Sequence, residues 1–182
     1  MADRSAPPSL ALAQDLANTL DIESGQDALA APGGLAAFLR DHGLPSAPTG
    51  KRALSAVQRL REALRAACLA HTGTDLTEET ERELGALLAE APLVLTIDAQ
   101  GGAELRPAPG LTGLPALTAR IAAGIATAAA DGTWPRLKAC EAHDCQWVFY
   151  DRSPAARSRW CTMAVCGSRA KMRTYRARKA EG

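Results

Sequence analysis

The chain has 182 residues, which is enough for one compact domain or two small ones. Its hydrophobic share of 47% and its charged share of 23% argue against a wholly disordered protein. No apolar run approaches the ~20 residues that a membrane-spanning helix needs, and the polar, acidic start is unlike a signal peptide. We therefore expect a cytoplasmic protein with no membrane partner, in which paired cysteines more often bind metal than form disulfides.

Charge is divided unevenly along the chain. Residues 134–182 contain 11 Lys and Arg against 4 Asp and Glu, a net charge of +7, whereas residues 1–133 contain 10 and 16, a net charge of −6. All but one of the aromatic residues and all but one of the cysteines lie in the C-terminal segment. This contrast predicts an acidic domain over 1–133 and a basic domain over 134–182, and their opposite charges leave open that the two dock.

The acidic domain begins with four helical patterns. Ser9 is suited to cap a first helix, which carries leucines at spacings of four (Leu12, Leu16 and Leu20). A second helix is predicted over residues 35–41, after a Pro-Gly-Gly break, and the longest amphipathic pattern covers residues 50–71. Thr77 opens the fourth helix, because the acidic residues that follow it suit the positive end of the helix dipole.

A hairpin and a fifth helix complete the acidic domain. Residues 93–97 form an apolar, β-type run, residues 98–102 a turn, and residues 104–106 can return as the partner strand. Residues 114–130 are helical again. The acidic domain is therefore predicted to be α+β, mostly helical with one β-hairpin.

Residue types in the acidic domain do not indicate catalysis. The domain has no glycine-rich phosphate loop, nucleophile elbow or HExxH motif. His42 and His71 fall at helix ends, where His42 is expected in solvent and His71 as a cap that complements the dipole. Cys68 is expected to be a small buried hydrophobe, and Asp15 with Asn18 is explained by capping or internal hydrogen bonds. We expect no enzymatic activity.

Two Cys-x4-Cys pairs, separated by 15 residues, distinguish the basic domain. Zinc prefers four tetrahedral ligands and binds thiolates well, so the two pairs supply a closed structural site without a position for a catalytic water. The alternative is a set of reduced or redox-active thiols. His143 could replace one thiolate, but its place between the first two cysteines favours solvent. The predicted zinc ligands are Cys140, Cys145, Cys161 and Cys166.

The order of elements in the basic domain is that of a treble-clef-like zinc finger. Residues 146–150 are aromatic and β-branched and are predicted to form a strand, residues 151–154 a turn, and the run after Cys166 a helix that carries the last ligand. Trp147 and Tyr150 are expected in the core of the finger, and Met172 and Tyr175 are expected to pack on it.

The final helix carries a row of arginines. Arg169, Arg173 and Arg176 fall at i, i+4 and i+7 and share one face, where guanidinium groups can bind phosphates bidentately. The alternatives are a solvated helix and a helix that docks on the acidic domain. The predicted nucleic-acid-binding residues are Arg169, Lys171, Arg173, Arg176, Arg178 and Lys179.

Residues 160–171 (WCTMAVCGSRAK), with the first cysteine pair upstream, resemble the CGNR zinc-finger family. Residues 12–20 (LAQDLANTL) and 34–44 (GLAAFLRDHGL) resemble the ABATE domain that precedes this finger. The resemblance implies a bacterial, stress-induced transcription regulator whose finger binds DNA. It also implies that the four cysteines bind the metal and that Arg169 and Lys171 occupy the basic positions of the motif. Ser168 replaces the motif asparagine, and a serine cannot make the bidentate contact of an amide.

The preferred hypothesis is a DNA-binding regulator whose acidic domain senses a small-molecule effector or forms a homodimer. A dimer is expected because a single finger makes few base contacts. The second hypothesis is a zinc-stabilised protein-interaction module that binds no nucleic acid. RNA binding is a variant of the first, with Trp147 and Tyr150 stacking on bases.

Overall fold

The computed structural model describes residues 3–44 and 49–180. About half of the chain is helical, and the strands form three small antiparallel hairpins. The helices are α1 (Pro8–Ala17), α2 (Gly34–Asp41), α3 (Lys51–Ala70), α4 (Glu78–Ala89), α5 (Gly113–Ala130) and α6 (Ser168–Ala180). The strands are β1 (Leu20–Asp21), β2 (Gln26–Asp27), β3 (Leu93–Ile97), β4 (Ala103–Pro107), β5 (Leu137–Ala139) and β6 (Val148–Tyr150). A 3-10 turn, Trp134–Arg136, precedes β5, and a π-helical turn, Met163–Gly167, precedes α6.

Helices α1, α3 and α5 form the centre of the acidic domain. Helix α5 crosses α1 so closely that a Cβ atom at Gly124 would lie 2.0 Å from the Ser9 carbonyl oxygen, so only glycine fits there. The large side chains that the three helices bury completely are Leu10, Leu16, Leu60, Leu64, Leu117 and Ile121. Burial of each contributes about 1.5–3 kcal/mol, so this cluster contributes substantially to the stability of the domain.

The first helix differs from its prediction at both ends. It starts at Pro8 behind Pro7 and has no side-chain cap, because a proline in the first turn has no N–H that needs one. Ser9 therefore lies inside the helix, and the predicted cap is wrong. The helix ends before Leu20, which belongs to β1.

The predicted hairpin is present, with Leu95 opposite Leu105 in the β3–β4 register. A second, shorter hairpin pairs β1 with β2 and was not predicted. Its strands have two residues each, too few for an alternating pattern, and its turn is held by the Asp21 carboxylate, which accepts from the Glu23 N–H at 2.9 Å. The predicted fold class, α+β with a small C-terminal finger, is confirmed.

The β5–β6 hairpin joins the two predicted domains through a shared core. Val148 and Tyr150 of β6, with Leu137 and Ala139 of β5, face the buried side chains of the helices. Phe149 points the opposite way and packs beside the cysteines. Tyr150 therefore belongs to the helical core, and Trp147 is 40% exposed, so the prediction that both lie in the core of the finger is wrong. The expected boundary at 133/134 lies directly before the 3-10 turn.

Helix α5 is long and apolar enough to cross a membrane by length and composition, with a mean hydropathy of 1.3. Length and composition of one helix are weak evidence for a membrane span, because the core helix of a soluble protein can have both. Leu117 and Ile121 on this helix are buried in a cluster with side chains of the other helices.

Candidate metal centre and basic helix

The first cysteine pair lies on the turn that joins β5 to β6. Cys140 follows β5 directly, and its N–H donates to the Trp147 carbonyl at 3.0 Å. The Cys145 N–H donates to the Ala142 carbonyl at 2.9 Å, and Gln146 then adopts a left-handed φ of 47°. This reversal explains why the strand begins at Val148 and not at Gln146 as predicted. The partner strand, β5, lies upstream of the cysteines.

The second pair flanks the π-helical turn. The Thr162 hydroxyl accepts from the Val165 N–H at 3.3 Å and so begins the turn. A Cβ atom on Gly167 would lie 2.7 Å from the Met163 sulfur, so a larger residue there would require the exposed Met163 side chain to move. The Ser168 hydroxyl donates to the Met163 carbonyl at 3.0 Å and is occupied inside the turn. Cys166 lies in this turn, so the last predicted ligand directly precedes α6 rather than lying on it.

The four cysteines that the sequence predicts as ligands come together. All four Sγ atoms lie within 4.8 Å of one another, and the sulfurs of Cys145 and Cys166 are each 3.7 Å from that of Cys161. Cys140 and Cys166 are buried and the other two are half-buried. Within the described part of the chain, this group contains cysteines alone, and His143 is exposed to solvent outside it. The cluster can hold a metal ion.

Crowding of the four thiols shapes their ionisation. A hydrogen bond from Cys145 lowers the pKa of Cys140, and the same contact raises the pKa of Cys145 to about 12. Neighbouring thiolates at this distance repel one another in a half-buried site. A divalent cation would remove that repulsion and favour the deprotonated form of every ligand. The donor set thus fits a thiophilic cation.

A buried ion pair supports the loop that leads to the second cysteine pair. Lys138 Nζ lies 3.0 Å from Asp151 Oδ2, and the two side chains are 4% and 0% exposed. Burial alone would raise the pKa of Asp151, but hydrogen bonds from Ser153, Lys138 and Ser158 outweigh it and hold the pKa below the ordinary range. Asp151 accepts from both the N–H and the hydroxyl of each serine. These bonds fix residues 151–158 against the hairpin.

Helix α6 projects its side chains into solvent. The side chains of all six predicted nucleic-acid-binding residues are exposed. Arg169, Arg173 and Arg176 line one groove, as their spacing predicts. Met172 and Tyr175 are 51% and 62% exposed, so the prediction that they pack on the finger is wrong. The first turn of α6 contacts the acidic domain, where the Arg169 guanidinium donates to the Glu23 carboxylate at 2.9 Å.

Comparisons with known families agree with this architecture. Residues 136–179 match the family described as "CGNR zinc finger", and residues 10–133 match ABATE, described as "Putative stress-induced transcription regulator". The chain belongs to the ABATE family and carries a CGNR zinc finger. A comparison with curated proteins found no match. The resemblance stated from the sequence is therefore confirmed.

The ABATE domain contacts the CGNR finger through the side chain of Asn18, which bonds to the backbone of β6 as a neighbouring strand would. Asn18 Oδ1 accepts from the Val148 N–H and Asn18 Nδ2 donates to the Val148 carbonyl, both at 2.8 Å. The sequence predicts internal hydrogen bonds for Asn18 but does not show that they reach the finger. Gln14 Nε2 adds a second donor to the same carbonyl at 3.2 Å.

Two side chains also reach the finger, one from α3 and one from the residue that caps its C-terminal end. Arg65 donates to the Gln146 carbonyl at 3.2 Å and to the Ala17 carbonyl at 2.7 Å. His71 Nδ1 donates to the Leu137 carbonyl at 2.7 Å. His71 takes the predicted cap position at the end of α3, but burial lowers its pKa, so the ring is a neutral hydrogen-bond donor without the charge that would complement the dipole. Sequence reasoning missed both contacts, because their partners are backbone atoms that carry no residue signature.

Proposed function

We propose that this ABATE chain is a bacterial transcription regulator that binds DNA through its CGNR finger. The observation that carries the proposal is α6, a helix that begins directly after a metal-ligand candidate and exposes six basic side chains. Among the residues that the structure describes, only Arg169 of these six forms an ion pair. The other five are available to phosphates directly, and Arg169 would exchange the exposed Glu23 carboxylate for a phosphate.

We further propose that zinc is held by the four clustered cysteines. A tetrahedral site with Zn–S bonds of ~2.3 Å has sulfur–sulfur edges of roughly 3.8 Å, close to the 3.7 Å separations of Cys161 from its two neighbours. Four thiolates fill the coordination of zinc, so its role is structural: it adds folding free energy, on the order of 10 kcal/mol in finger peptides. Because no position is left for water, the proposal includes no catalytic role for the metal.

The arrangement favours DNA as the ligand of α6. Arg169, Arg173 and Arg176 follow one side of the helix over two turns, so they can contact successive phosphates along a duplex backbone. The cluster and the π-helical turn fix the start of this helix, which limits the conformational entropy that binding would cost. The ABATE domain, in this proposal, senses a small-molecule effector, and the protein acts in the cytoplasm.

A salt titration on random duplex DNA tests the proposal, using protein whose zinc content has been measured. Three to six phosphate contacts predict a log–log slope between about −3 and −5, at about −0.9 per contact. Arg169→Ala with Arg173→Ala should weaken binding and make the slope less steep by about 2. The matched control removes two exposed arginines from the ABATE domain, Arg40→Ala with Arg59→Ala. Unchanged affinity in the α6 variant, or equal losses in both variants, would contradict DNA binding by α6.

A second candidate function is a protein-interaction module without nucleic-acid binding. This candidate is supported by exposed apolar side chains on α6 and on the turn before it, namely Met163, Val165, Met172 and Tyr175. Phosphates do not use such side chains, whereas protein interfaces are enriched in methionine, tyrosine and arginine. Met172→Ser with Tyr175→Ser separates the two functions, because it keeps every positive charge. Loss of a protein partner with unchanged DNA affinity would favour this candidate.

A further inference from the structure

We propose that the ABATE chain forms a two-fold homodimer in which β3 pairs antiparallel with β3 of a second copy, centred on Leu95. The β3–β4 hairpin supplies the observation. Strand β4 is the one that packs mainly along α5, which leaves β3 as the outer strand. A two-stranded hairpin is marginally stable without a further strand or a covering element.

The outer edge of β3 has hydrogen-bonding groups to offer. Beyond the two ends of the hairpin, the Asp98 N–H donates to the Gly102 carbonyl and the Ala108 N–H to the Pro92 carbonyl. Both of these end pairs are hydrogen-bonded, and hydrogen-bonded pairs alternate with non-hydrogen-bonded pairs along antiparallel strands. Val94 and Thr96, each two residues from an end pair, therefore bond to β4. The N–H and carbonyl groups of Leu93, Leu95 and Ile97 therefore point away from β4. Within the described ranges, none of these groups has a backbone partner outside the hairpin.

The chemistry of this edge favours an identical strand. Natural edge strands are protected by charges, prolines or bulges, whereas β3 has the sequence LVLTI and contains none of the three. Leu95 is 64% and Ile97 70% exposed. In a two-fold pairing about Leu95, Leu93 lies opposite Ile97 of the second copy and Leu95 opposite its own equivalent. Every outward group then gains a partner, and apolar side chains meet apolar side chains.

Two-fold symmetry also limits the assembly to two chains. The interface is isologous, so each copy uses the same edge and that edge is consumed. The hairpin's other strand lies along α5, and the sheet therefore ends at four strands instead of growing into a fibre. The dimer carries two CGNR fingers, but it is independent of the proposed function, since it forms through the ABATE domain without DNA.

The test is the molar mass of the zinc-loaded chain, measured by light scattering after size-exclusion chromatography. We expect twice the 19.0 kDa of one chain. Leu95→Lys and Leu95→Glu should each give monomers, because equivalent residues directly opposite at roughly 5.5 Å place like charges together. A 1:1 mixture of these two variants should recover the dimer, because Lys and Glu then face each other. Recovery also shows that both variants fold.

Leu105→Lys is the matched control. Leu105 lies on the same face of the hairpin and is also exposed, but it belongs to the inner strand. Edge pairing predicts that this variant stays dimeric. A monomeric wild-type chain at every concentration, a dimeric Leu95→Lys variant, a mixture that stays monomeric, or dissociation by Leu105→Lys would each overturn the proposal.

Discussion

Replacement of Asn18 by alanine tests whether the ABATE domain and the CGNR finger are stabilised as one unit. The Asn18 carboxamide bonds both backbone groups of Val148, a residue with no exposed surface. In Asn18→Ala, the Val148 N–H loses its partner in a dry environment, while the carbonyl keeps its weaker bond from Gln14.

The expected loss follows from these contacts. A buried donor left without a partner costs about 1–3 kcal/mol, and loss of one of two bonds to the carbonyl adds a smaller amount. We therefore expect the free energy of unfolding to fall by about 2 kcal/mol. For a chain of this size, that corresponds to a decrease in Tm of about 4–8 °C.

Urea unfolding followed by circular dichroism measures this change in the zinc-loaded chain. Asn18→Asp keeps the acceptor for the Val148 N–H but places a carboxylate oxygen against the Val148 carbonyl, so it should also be destabilising. Asp15→Ala changes an exposed position on the same helix and should leave stability within about 0.5 kcal/mol. A loss for Asn18→Ala no larger than that of Asp15→Ala would refute the reasoning.

Two further perturbations address the finger. Lys138→Met leaves the buried Asp151 carboxylate without its cation and should lower the free energy of unfolding by about 3–5 kcal/mol at pH 7. The pKa of Asp151 is lowered by folding, so its stabilisation is complete above the unfolded value of ~3.9 and is lost as the pH falls further. Urea unfolding at several pH values should therefore show the wild-type stability falling as the pH drops from about 4 toward the lowered pKa of Asp151, and the deficit of Lys138→Met shrinking with it; a deficit that stays constant over this range would contradict this assignment. Chelation of the proposed zinc should also lower the unfolding temperature of the helices, because β6 belongs to their core. Calorimetry that showed an unchanged helical transition would argue against a shared core.

Residue types and their spacing predict the chemistry of the finger. Thiolates at Cys140, Cys145, Cys161 and Cys166 have few uses other than a metal site, and the arginines of α6 share a face because a helix repeats every 3.6 residues. The amphipathic pattern likewise predicts α3 to within a residue at either end. These signals are local, so the sequence shows them without knowledge of the fold.

Contacts between distant segments are what the sequence does not show. Tyr150 looks like part of a finger core, yet the alternation of Val148, Phe149 and Tyr150 places it on the helical side once β5 pairs upstream of Cys140. Asn18 and His71 carry polar groups that could bond to many partners, and only the tertiary fold selects backbone atoms of β5 and β6. Met172 and Tyr175 look like core residues because they are apolar, but nothing within residues 3–44 and 49–180 buries them.

Strand β6 lies between the helical core, which Val148 and Tyr150 face, and the cysteine cluster, which Phe149 faces. Movement of this strand changes the packing of the helices and the placement of Phe149 beside the thiolates together. We therefore expect metal affinity and the conformation of the ABATE domain to be coupled. Coupling of this kind is reciprocal, so a small molecule that alters metal affinity through β6 has its own affinity altered by the metal by the same factor. The proposed effector can therefore be sought by its influence on retention of the proposed zinc, without a DNA sequence.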